Sequence, residues 1–172
     1  GYDTVQWIRT QPWCNGKIGT MGASALGVTQ QYLAGVRSHD VDCQQISVAL
    51  SNPYMQCSYQ GGAFRQALVE GWLEGQESEH MLAVYKRHPR YDALWRWANI
   101  ETRAPLIKEP AMHLGGWYDI WSQGTLNSFR TRQEEGGAGA AGNQKLIIGP
   151  WAHYLGQTYV GELVYPDAGF ST

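Results

Sequence analysis

In KIGTMGASALGVTQQYLAG, residues 17–35, the spacing of apolar residues changes from that of a strand to that of a helix, and small residues form the turn between them. Residues 18–21 are typical of the end of a strand, and residues 25–33 carry apolar side chains at helical spacing. Ser24 therefore stands on a strand-to-helix turn, which lifts a side chain clear of a sheet and leaves the next backbone N–H pointing the same way. A nucleophilic serine needs this geometry, although small residues also build ordinary α/β connections and phosphate-binding loops.

The rest of the chain extends this unit into an α/β fold. A second strand is predicted at residues 44–50, one crossover after the first, so the two strands are expected to be parallel with helices on the faces of the sheet. Two further strands are predicted at residues 111–114 and 145–148, with a helix between them at residues 121–134.

The middle of the chain differs in composition and divides the sequence into three parts. Residues 52–105 are rich in Trp, Tyr and charge and contain no strand-like run, so they predict a helical insertion. Its three short helices are expected at residues 63–74, 78–88 and 91–99. The insertion separates a first part of the core, residues 1–51, from a second part, residues 106–172.

Two further segments have local signals. Residues 3–9 predict a helix that Asp3 caps and that turns Val5 and Ile8 inward, with Trp7 as a third candidate for that face. The glycine-rich residues 136–142 (GGAGAAG) predict a solvent loop.

Composition excludes several classes of partner. With 43% hydrophobic residues and 16% charged residues among 172, the chain can bury a substantial core. A net charge of −2 gives no electrostatic argument for nucleic acid or for an anionic membrane. The apolar runs are too short to cross a bilayer. A soluble protein whose partner is not a charged polymer is therefore expected, and its oligomeric state stays open.

The three cysteines fit neither a metal site nor a full set of disulfides. Cys14, Cys43 and Cys57 match no zinc-ligand spacing, and their odd number leaves at least one thiol free. We expect small buried hydrophobic side chains and a reducing, cytoplasmic compartment, with a Cys43–Cys57 disulfide in a secreted protein as the alternative. No motif calls for a metal or organic cofactor.

Two later stretches repeat one pattern, an apolar strand followed by glycine and then by a titratable residue. MHLGGWYD ends in Asp119, and LIIGPWAH ends in His153. Because the carboxyl ends of parallel strands share one crevice, Ser24, Asp119 and His153 are expected to converge, in the α/β-hydrolase order. The alternatives are a helix-capping aspartate and a structural histidine.

The other four histidines are expected to lie elsewhere. His39, His80 and His88 fall in loop or helical segments and are predicted to be exposed, whereas His113 falls within a strand and is predicted to be buried.

Three separated blocks carry a family resemblance. TVQWIRTQPWCNGKIGTMGASALG, HLGGWYD and LIIGPWAH resemble, in order, blocks of the cocaine esterase and X-Pro dipeptidyl-peptidase family of α/β-hydrolases, which also includes α-amino-acid ester hydrolases and glutaryl acylases. The resemblance implies Ser24 as the nucleophile, Asp119 as the acid and His153 as the base. Gly22 and Gly27 satisfy the family's Gly-x-Ser-x-x-Gly elbow.

The resemblance also implies how the site is completed. The Ala25 N–H would be an oxyanion-hole donor, although the family commonly has tyrosine there. The helical insertion would be the cap over the site. Aromatic residues beside the acid and base are expected to line the substrate pocket: Trp117, Tyr118, Trp121, Trp151 and Tyr154. The family's first strands, a tyrosine donor on one of them and a carboxy-terminal jelly roll have no counterpart here, so the chain is expected to be an internal fragment.

The expected function is that of a serine hydrolase that cleaves an ester or amide bond through an acyl-enzyme. The substrate would be a small ester, amide or short peptide. One alternative is an X-Pro dipeptidyl-peptidase or acylase, and another is a catalytically incomplete binding module. A dipeptidyl-peptidase needs acidic groups for the substrate ammonium. The local candidates are Glu70, Glu74, Glu77, Glu79 and Asp92.

Overall fold

A parallel four-stranded sheet forms the centre of the computed structural model, which describes residues 1–36 and 40–170. The strands lie in the order β1-β2-β3-β4 and pair in parallel throughout. Their bounds are β1 Gly19–Ala23, β2 Cys43–Ser47, β3 Ala111–Gly116 and β4 Gln144–Gly149. Residues 159–164 add a small antiparallel pair, β5 Tyr159–Val160 and β6 Leu163–Val164. The α/β fold class predicted from the sequence is confirmed.

Six α-helices accompany the strands among the described residues. They are α1 Tyr2–Arg9, α2 Ala25–Ala34, α3 Gln66–Gly75, α4 Leu82–Arg87, α5 Ala93–Ala98 and α6 Ser122–Glu135. Short 3-10 turns stand at Gln60–Gly62, Glu79–Met81, Glu101–Leu106 and Pro166–Ala168, and a π-helical turn stands at Tyr54–Ser58. No helix of this described set is long and apolar enough to cross a bilayer.

The core lies where helices cover the sheet. Ile46 of β2, Ala49 and Ala111 form one buried cluster, against which Val28 of α2 packs. β2 ends three residues earlier than predicted, because Val48 takes a φ of 42° and leaves the sheet. That bend turns the chain away at the edge where β1 also ends.

The α6 side of the sheet buries a polar network. Arg132 is 1% exposed, and its guanidinium donates to Gln44 Oε1 at 2.8 Å. Burial lowers the pKa of Arg132 to about 10, which leaves it protonated at neutral pH. His113, fully buried as predicted, has its pKa lowered to about 3, first by burial and then by Arg132. This side of the core therefore holds one charged arginine and one neutral histidine.

An aromatic cluster holds the helical insertion together. Tyr54 stacks on Tyr59 with ring centroids 5.1 Å apart, and both rings contact Trp95 of α5. Phe64 and Tyr85 pack against this cluster. The predicted helices are present here, but the assignment of residues 52–105 as a separate part stays a prediction.

Gln56 joins the insertion to the end of β2. Its Oε1 accepts the backbone N–H groups of Ser51 and Asn52, each at 2.8 Å, and its Nε2 donates to Glu101 Oε1 at 2.6 Å. These bonds fix the π-helical turn against the core.

Several local predictions were wrong. α1 begins at Tyr2 after Gly1, so Asp3 lies in its first turn, where an acidic side chain suits the helix dipole, and not at its cap. Val5 is buried and Ile8 packs against its cluster, as predicted, whereas Trp7 is 58% exposed and meets Trp13 edge to face. The predicted solvent loop folds back on the core, because Ala140 is fully buried against Ile107.

Cysteine and histidine side chains differ in part from expectation. Among the described residues Cys14, Cys43 and Cys57 are unpaired, and Cys43 is exposed at the start of β2. His80 is exposed as predicted. His88 is only partly exposed because its ring meets the Asp92 carboxylate at 2.5 Å. His39 lies outside the described residues.

Candidate active site

The turn that carries Ser24 has an unusual backbone. Ser24 lies between β1 and α2 with a φ of 56° and a ψ of −126°, a conformation that L-residues rarely adopt. Its N–H donates to the Ser47 carbonyl at 3.0 Å, which ties the turn to the end of β2.

Two glycines let the strand and helix approach at this turn. A Cβ at Gly22 would lie 2.7 Å from Leu26 Cβ, and one at Gly27 would lie 2.7 Å from Ala49 Cβ. Such distances are too short for real side chains, so only glycine fits both positions. The sequence-level reason for these glycines therefore matches the packing.

Backbone hydrogen bonds join the loops that follow β3 and β4. The N–H of Trp117 donates to the Gly149 carbonyl at 3.0 Å, and that of Tyr118 donates to the Trp151 carbonyl, also at 3.0 Å. A Cβ on Gly116 would lie 1.9 Å from that same Trp151 oxygen, so the loops can meet only at a glycine. The contact places Asp119 beside His153.

Ser24, His153 and Asp119 form a continuous hydrogen-bonded chain. His153 Nε2 lies 2.8 Å from Ser24 Oγ, and His153 Nδ1 lies 2.6 Å from Asp119 Oδ1. The Asp119 side chain is fully buried, whereas that of His153 is 26% exposed. A carboxylate buried in this way holds the ring with a proton on Nδ1, so Nε2 is left to accept from the serine hydroxyl.

The N-terminus of α2 lies at the turn that carries Ser24. Ala25 follows Ser24 directly, and the N–H groups of the first helical turn have no acceptor within the helix. They point toward the end of the sheet where Ser24 stands, and the helix dipole favours negative charge there.

A cavity of about 510 Å³ opens beside Ser24 between α2 and the helical insertion. Its polar lining includes Ser24, Ser58 and His153, and the rest of its wall is mostly apolar or aromatic. The wall also contains Ala25, Val28, Thr29, Tyr32, Leu50, Pro53, Cys57, Leu68, Val69, Trp72, Tyr85, Ile120 and Trp121.

Of the five aromatic residues expected in the pocket, Trp121 alone lines this cavity. Trp117 and Tyr118 are 62% and 46% exposed, because the loop after β3 turns them toward solvent. Trp151 is buried against Phe170, and its indole N–H donates to the Ala168 carbonyl at 2.8 Å. Tyr154 lines a smaller cleft of about 290 Å³ on the other side of His153.

The cavity wall that sequence reasoning missed comes mainly from the insertion and α2. Tyr32, Cys57 and Tyr85 are far from the acid and base in sequence, and no local motif marks them. Ile120 had a usable signal, since it directly follows Asp119 and precedes Trp121.

Two of the five acidic candidates in the insertion, Glu70 and Asp92, pair with basic side chains. Glu70 accepts from Lys86 at 2.7 Å, and Asp92 meets His88. Hydrogen bonding to these partners lowers the pKa of both carboxyls. No carboxylate is found among the described residues that line the cavity, and nowhere in the described part of the chain do three metal-ligating side chains cluster.

Known proteins with similar sequences and structures place the chain in a family. The X-Pro dipeptidyl-peptidase (S15 family) model matches residues 1–84 and 73–155. Cocaine esterase of Rhodococcus sp. (strain MB1 Bresler) is 24% identical over 198 residues, which cover 88% of this chain and 33% of that protein.

Solved structures show the same fold at low identity. A CocE/NonD family hydrolase from Staphylococcus aureus has a TM-score of 0.72 at 21% identity, over 86% of this chain and 27% of that one. An aminopeptidase from a marine sediment archaeon, Thaumarchaeota archaeon, has a TM-score of 0.75 at 19% identity, over 95% and 34%. The chain thus spans about a third of the length of these relatives. On the family match, it belongs to the X-Pro dipeptidyl-peptidase (S15) family.

Proposed function

We propose that this chain carries the catalytic triad of a serine hydrolase that cleaves ester bonds, with amide bonds as the related alternative. Ser24 would be the nucleophile, His153 the base and Asp119 the acid. The observation that carries the proposal is the pair of contacts at 2.8 and 2.6 Å, which join residues 129 and 34 positions apart in sequence.

In this mechanism His153 Nε2 takes the hydroxyl proton as Ser24 Oγ attacks the carbonyl carbon. Asp119 orients the ring and stabilises the imidazolium. The tetrahedral intermediate collapses when the imidazolium gives its proton to the leaving group, and an acyl-enzyme remains. Water, activated by the same histidine, then releases the acid and restores Ser24.

The Ala25 N–H supports this reaction as a donor to the developing oxyanion. Loss of one oxyanion donor typically costs on the order of a hundred- to a thousandfold in turnover. A backbone donor has the advantage that its position is fixed by α2 itself. The alanine side chain adds no bulk at this point of the cavity.

The lining of the cavity favours an uncharged substrate over a dipeptide with a free ammonium group. An ammonium buried without a carboxylate partner would lose its hydration with no compensation. The nearby acids Glu70 and Asp92 already pair with Lys86 and His88. Ester hydrolysis is therefore proposed ahead of X-Pro dipeptidyl-peptidase or acylase activity.

Labelling with a fluorophosphonate tests the triad directly. The protein is incubated with the probe, and the modified residue is located by mass spectrometry. We expect a single adduct on Ser24 that is absent from Ser24→Ala and strongly slowed in His153→Ala. Ser51→Ala is the matched control, because Ser51 is a buried serine whose hydroxyl bonds Glu101 at 2.7 Å, away from the triad.

Absence of labelling in a protein shown to be folded would contradict the proposal for this chain. The second candidate function, a binding module that keeps the hydrolase fold without catalysis, would then be favoured.

A further inference from the structure

Two buried hydrogen-bond donors in the cavity wall lack partners among the described residues. Ser58 is 1% exposed and Trp121 is 9% exposed, yet neither Ser58 Oγ nor Trp121 Nε1 makes a hydrogen bond within the described chain. Buried polar groups are nearly always paired, since an unpaired one pays its desolvation cost with no hydrogen bond in return. The same two residues line the cavity that contains Ser24.

The two donors come from separate elements. Ser58 ends the π-helical turn Tyr54–Ser58, a rare form that is frequent at functional sites. Trp121 precedes α6, and its ring packs edge to face on His153 with centroids 5.1 Å apart. Gln56 holds the turn through its three bonds to Ser51, Asn52 and Glu101.

The thiol beside them is a poor partner. Burial raises the pKa of Cys57, and the charge of Arg65 and weak polar contacts of the thiol with Trp121 and Ser58 lower it only in part. These contacts are too poor in geometry to count as hydrogen bonds. The thiol therefore stays protonated at neutral pH, and a neutral sulfur is a weak acceptor. A bound molecule that enters the cavity could supply a stronger acceptor for both donors.

We propose that Ser58 Oγ and Trp121 Nε1 form a binding site for an uncharged oxygen acceptor, such as an ether or carbonyl, on an otherwise apolar group of the substrate. This inference deepens the proposed hydrolase function and rests on it. The substrate class is an ester whose acyl or leaving group is bulky and apolar but carries one such oxygen.

An uncharged acceptor fits better than a carboxylate. The rest of the wall is mostly apolar, and neither lysine nor arginine is among the residues that line the cavity. A carboxylate bound there would lose its hydration with only two neutral donors in return. An ether or carbonyl oxygen has little hydration to lose and satisfies both donors.

Paired substrates test the site. Ring-substituted 4-nitrophenyl phenylacetates and ring-substituted benzyl acetates are compared, each with methoxy and with the similarly sized ethyl group at the ortho, meta and para positions. We expect one position at which methoxy exceeds ethyl in kcat/KM by about fivefold to tenfold. In Ser58→Ala the ratio should fall toward one, because the methoxy ester loses rate while the ethyl ester keeps it.

A second cavity variant controls for general damage. Thr29→Val removes a hydroxyl from the same cavity, but that hydroxyl already donates to the Leu26 carbonyl at 2.9 Å. The methoxy preference should survive in Thr29→Val. Equal ratios in wild type and Ser58→Ala at every position would overturn the proposal, as would a carboxylate-substituted ester that outperforms methoxy.

The thermal midpoint distinguishes a ligand-binding serine from a structural one. Replacing a serine that only supports the fold should lower the midpoint. Removing an unpaired buried hydroxyl should leave the thermal midpoint unchanged or raise it. Ser128→Ala is the matched control, because Ser128 is equally buried and its hydroxyl donates to Gln31 Oε1 at 2.8 Å. A Ser58→Ala variant that loses as much stability as Ser128→Ala would count against a ligand site.

A binding measurement without catalysis tests the proposed oxygen site independently of the proposed triad. In Ser24→Ala the same esters are titrated calorimetrically, with Ser58→Ala and Trp121→Phe added to that background. A methoxy preference that both additions abolish supports the site even if the wild-type protein fails to react with fluorophosphonate. Catalysis without any preference would retain the triad and reject the site.

Discussion

The Ser24 N–H donates to the Ser47 carbonyl at 3.0 Å, and the next residue, Val48, donates to the Leu114 carbonyl at 2.7 Å. Ser24 and Val48 both have positive φ, 56° and 42°. Ser24 directly follows β1 and Val48 directly follows β2, so two strained backbone positions lie at the same edge of the sheet. Their two hydrogen bonds connect the ends of β1, β2 and β3. Strain of this kind persists only where surrounding contacts enforce it.

That strain predicts a stability difference between two variants of Ser24. Ser24→Gly should unfold at higher denaturant than Ser24→Ala, by on the order of 1 kcal/mol, because glycine adopts a φ of 56° without a Cβ penalty. Urea titration of both proteins measures the difference. Equal stability of the two would mean that the turn relaxes when the serine is lost.

Close packing at Gly27 predicts that even alanine is harmful there. Its Cβ would lie 2.7 Å from Ala49 Cβ and 3.1 Å from the Ser47 carbonyl, so α2 would have to move away from β2. We expect Gly27→Ala to lose about 1 to 3 kcal/mol of stability and to react more slowly with fluorophosphonate. In the control, Gly71→Ala in α3, the new Cβ meets nothing within 4 Å and should stabilise the helix.

The buried acid predicts a large kinetic effect with little change in structure. Asp119→Asn keeps the volume of the side chain but favours the imidazole tautomer that cannot accept from Ser24. We expect the rate of fluorophosphonate labelling to fall on the order of 10⁴-fold, with an unchanged circular dichroism spectrum. A fall of less than tenfold would show that Asp119 only caps the turn before α6.

The lowered pKa of buried His113 predicts that the protein loses part of its stability at acidic pH. Its folded-state pKa, about 3, lies below the ordinary 6.5, so the unfolded chain binds the proton more tightly. Stability from this group is therefore full above about pH 6.5 and decreases as the pH falls toward 3. Between pH 7 and pH 4.5 we expect a loss of roughly 2 to 3 kcal/mol from this residue.

His113→Phe checks this assignment, because phenylalanine keeps a ring against Phe129 but cannot be protonated. Urea unfolding at both pH values should show a smaller loss for the variant than for wild type. The variant is expected to be less stable at pH 7, since Gln144 Oε1 loses its hydrogen bond from the ring. Equal losses in the two proteins would assign the acid sensitivity to other groups.

Local sequence signals were sufficient to predict the strands and turns that carry the candidate triad. The turns after β1, β3 and β4 each combine a strand-forming run with glycine, and each places Ser24, Asp119 or His153 at the same edge of the sheet. Parallel pairing brings these ends together whatever lies between them in sequence. The order of the three residues was therefore readable without coordinates.

The cavity wall could not be read in the same way. Trp117, Tyr118 and Trp151 are adjacent in sequence to the acid and base, but the direction of a side chain depends on the loop that carries it. The hydrogen bonds between these two loops turn Trp117 to solvent and Trp151 to the core. Nearness in sequence to a candidate catalytic residue thus held for Ile120 and Trp121 but failed for the other aromatic residues beside the acid and base.

The sequence by itself determined the parallel α/β core, the positions of its glycine turns and the three residues proposed as the triad, because each depends on local periodicity and on small residues at fixed points. Only the tertiary structure decided which side chains surround Ser24. The cavity forms between α2 and the helical insertion, so its lining, including Ser58 and Trp121, depends on packing between distant segments that no local pattern records.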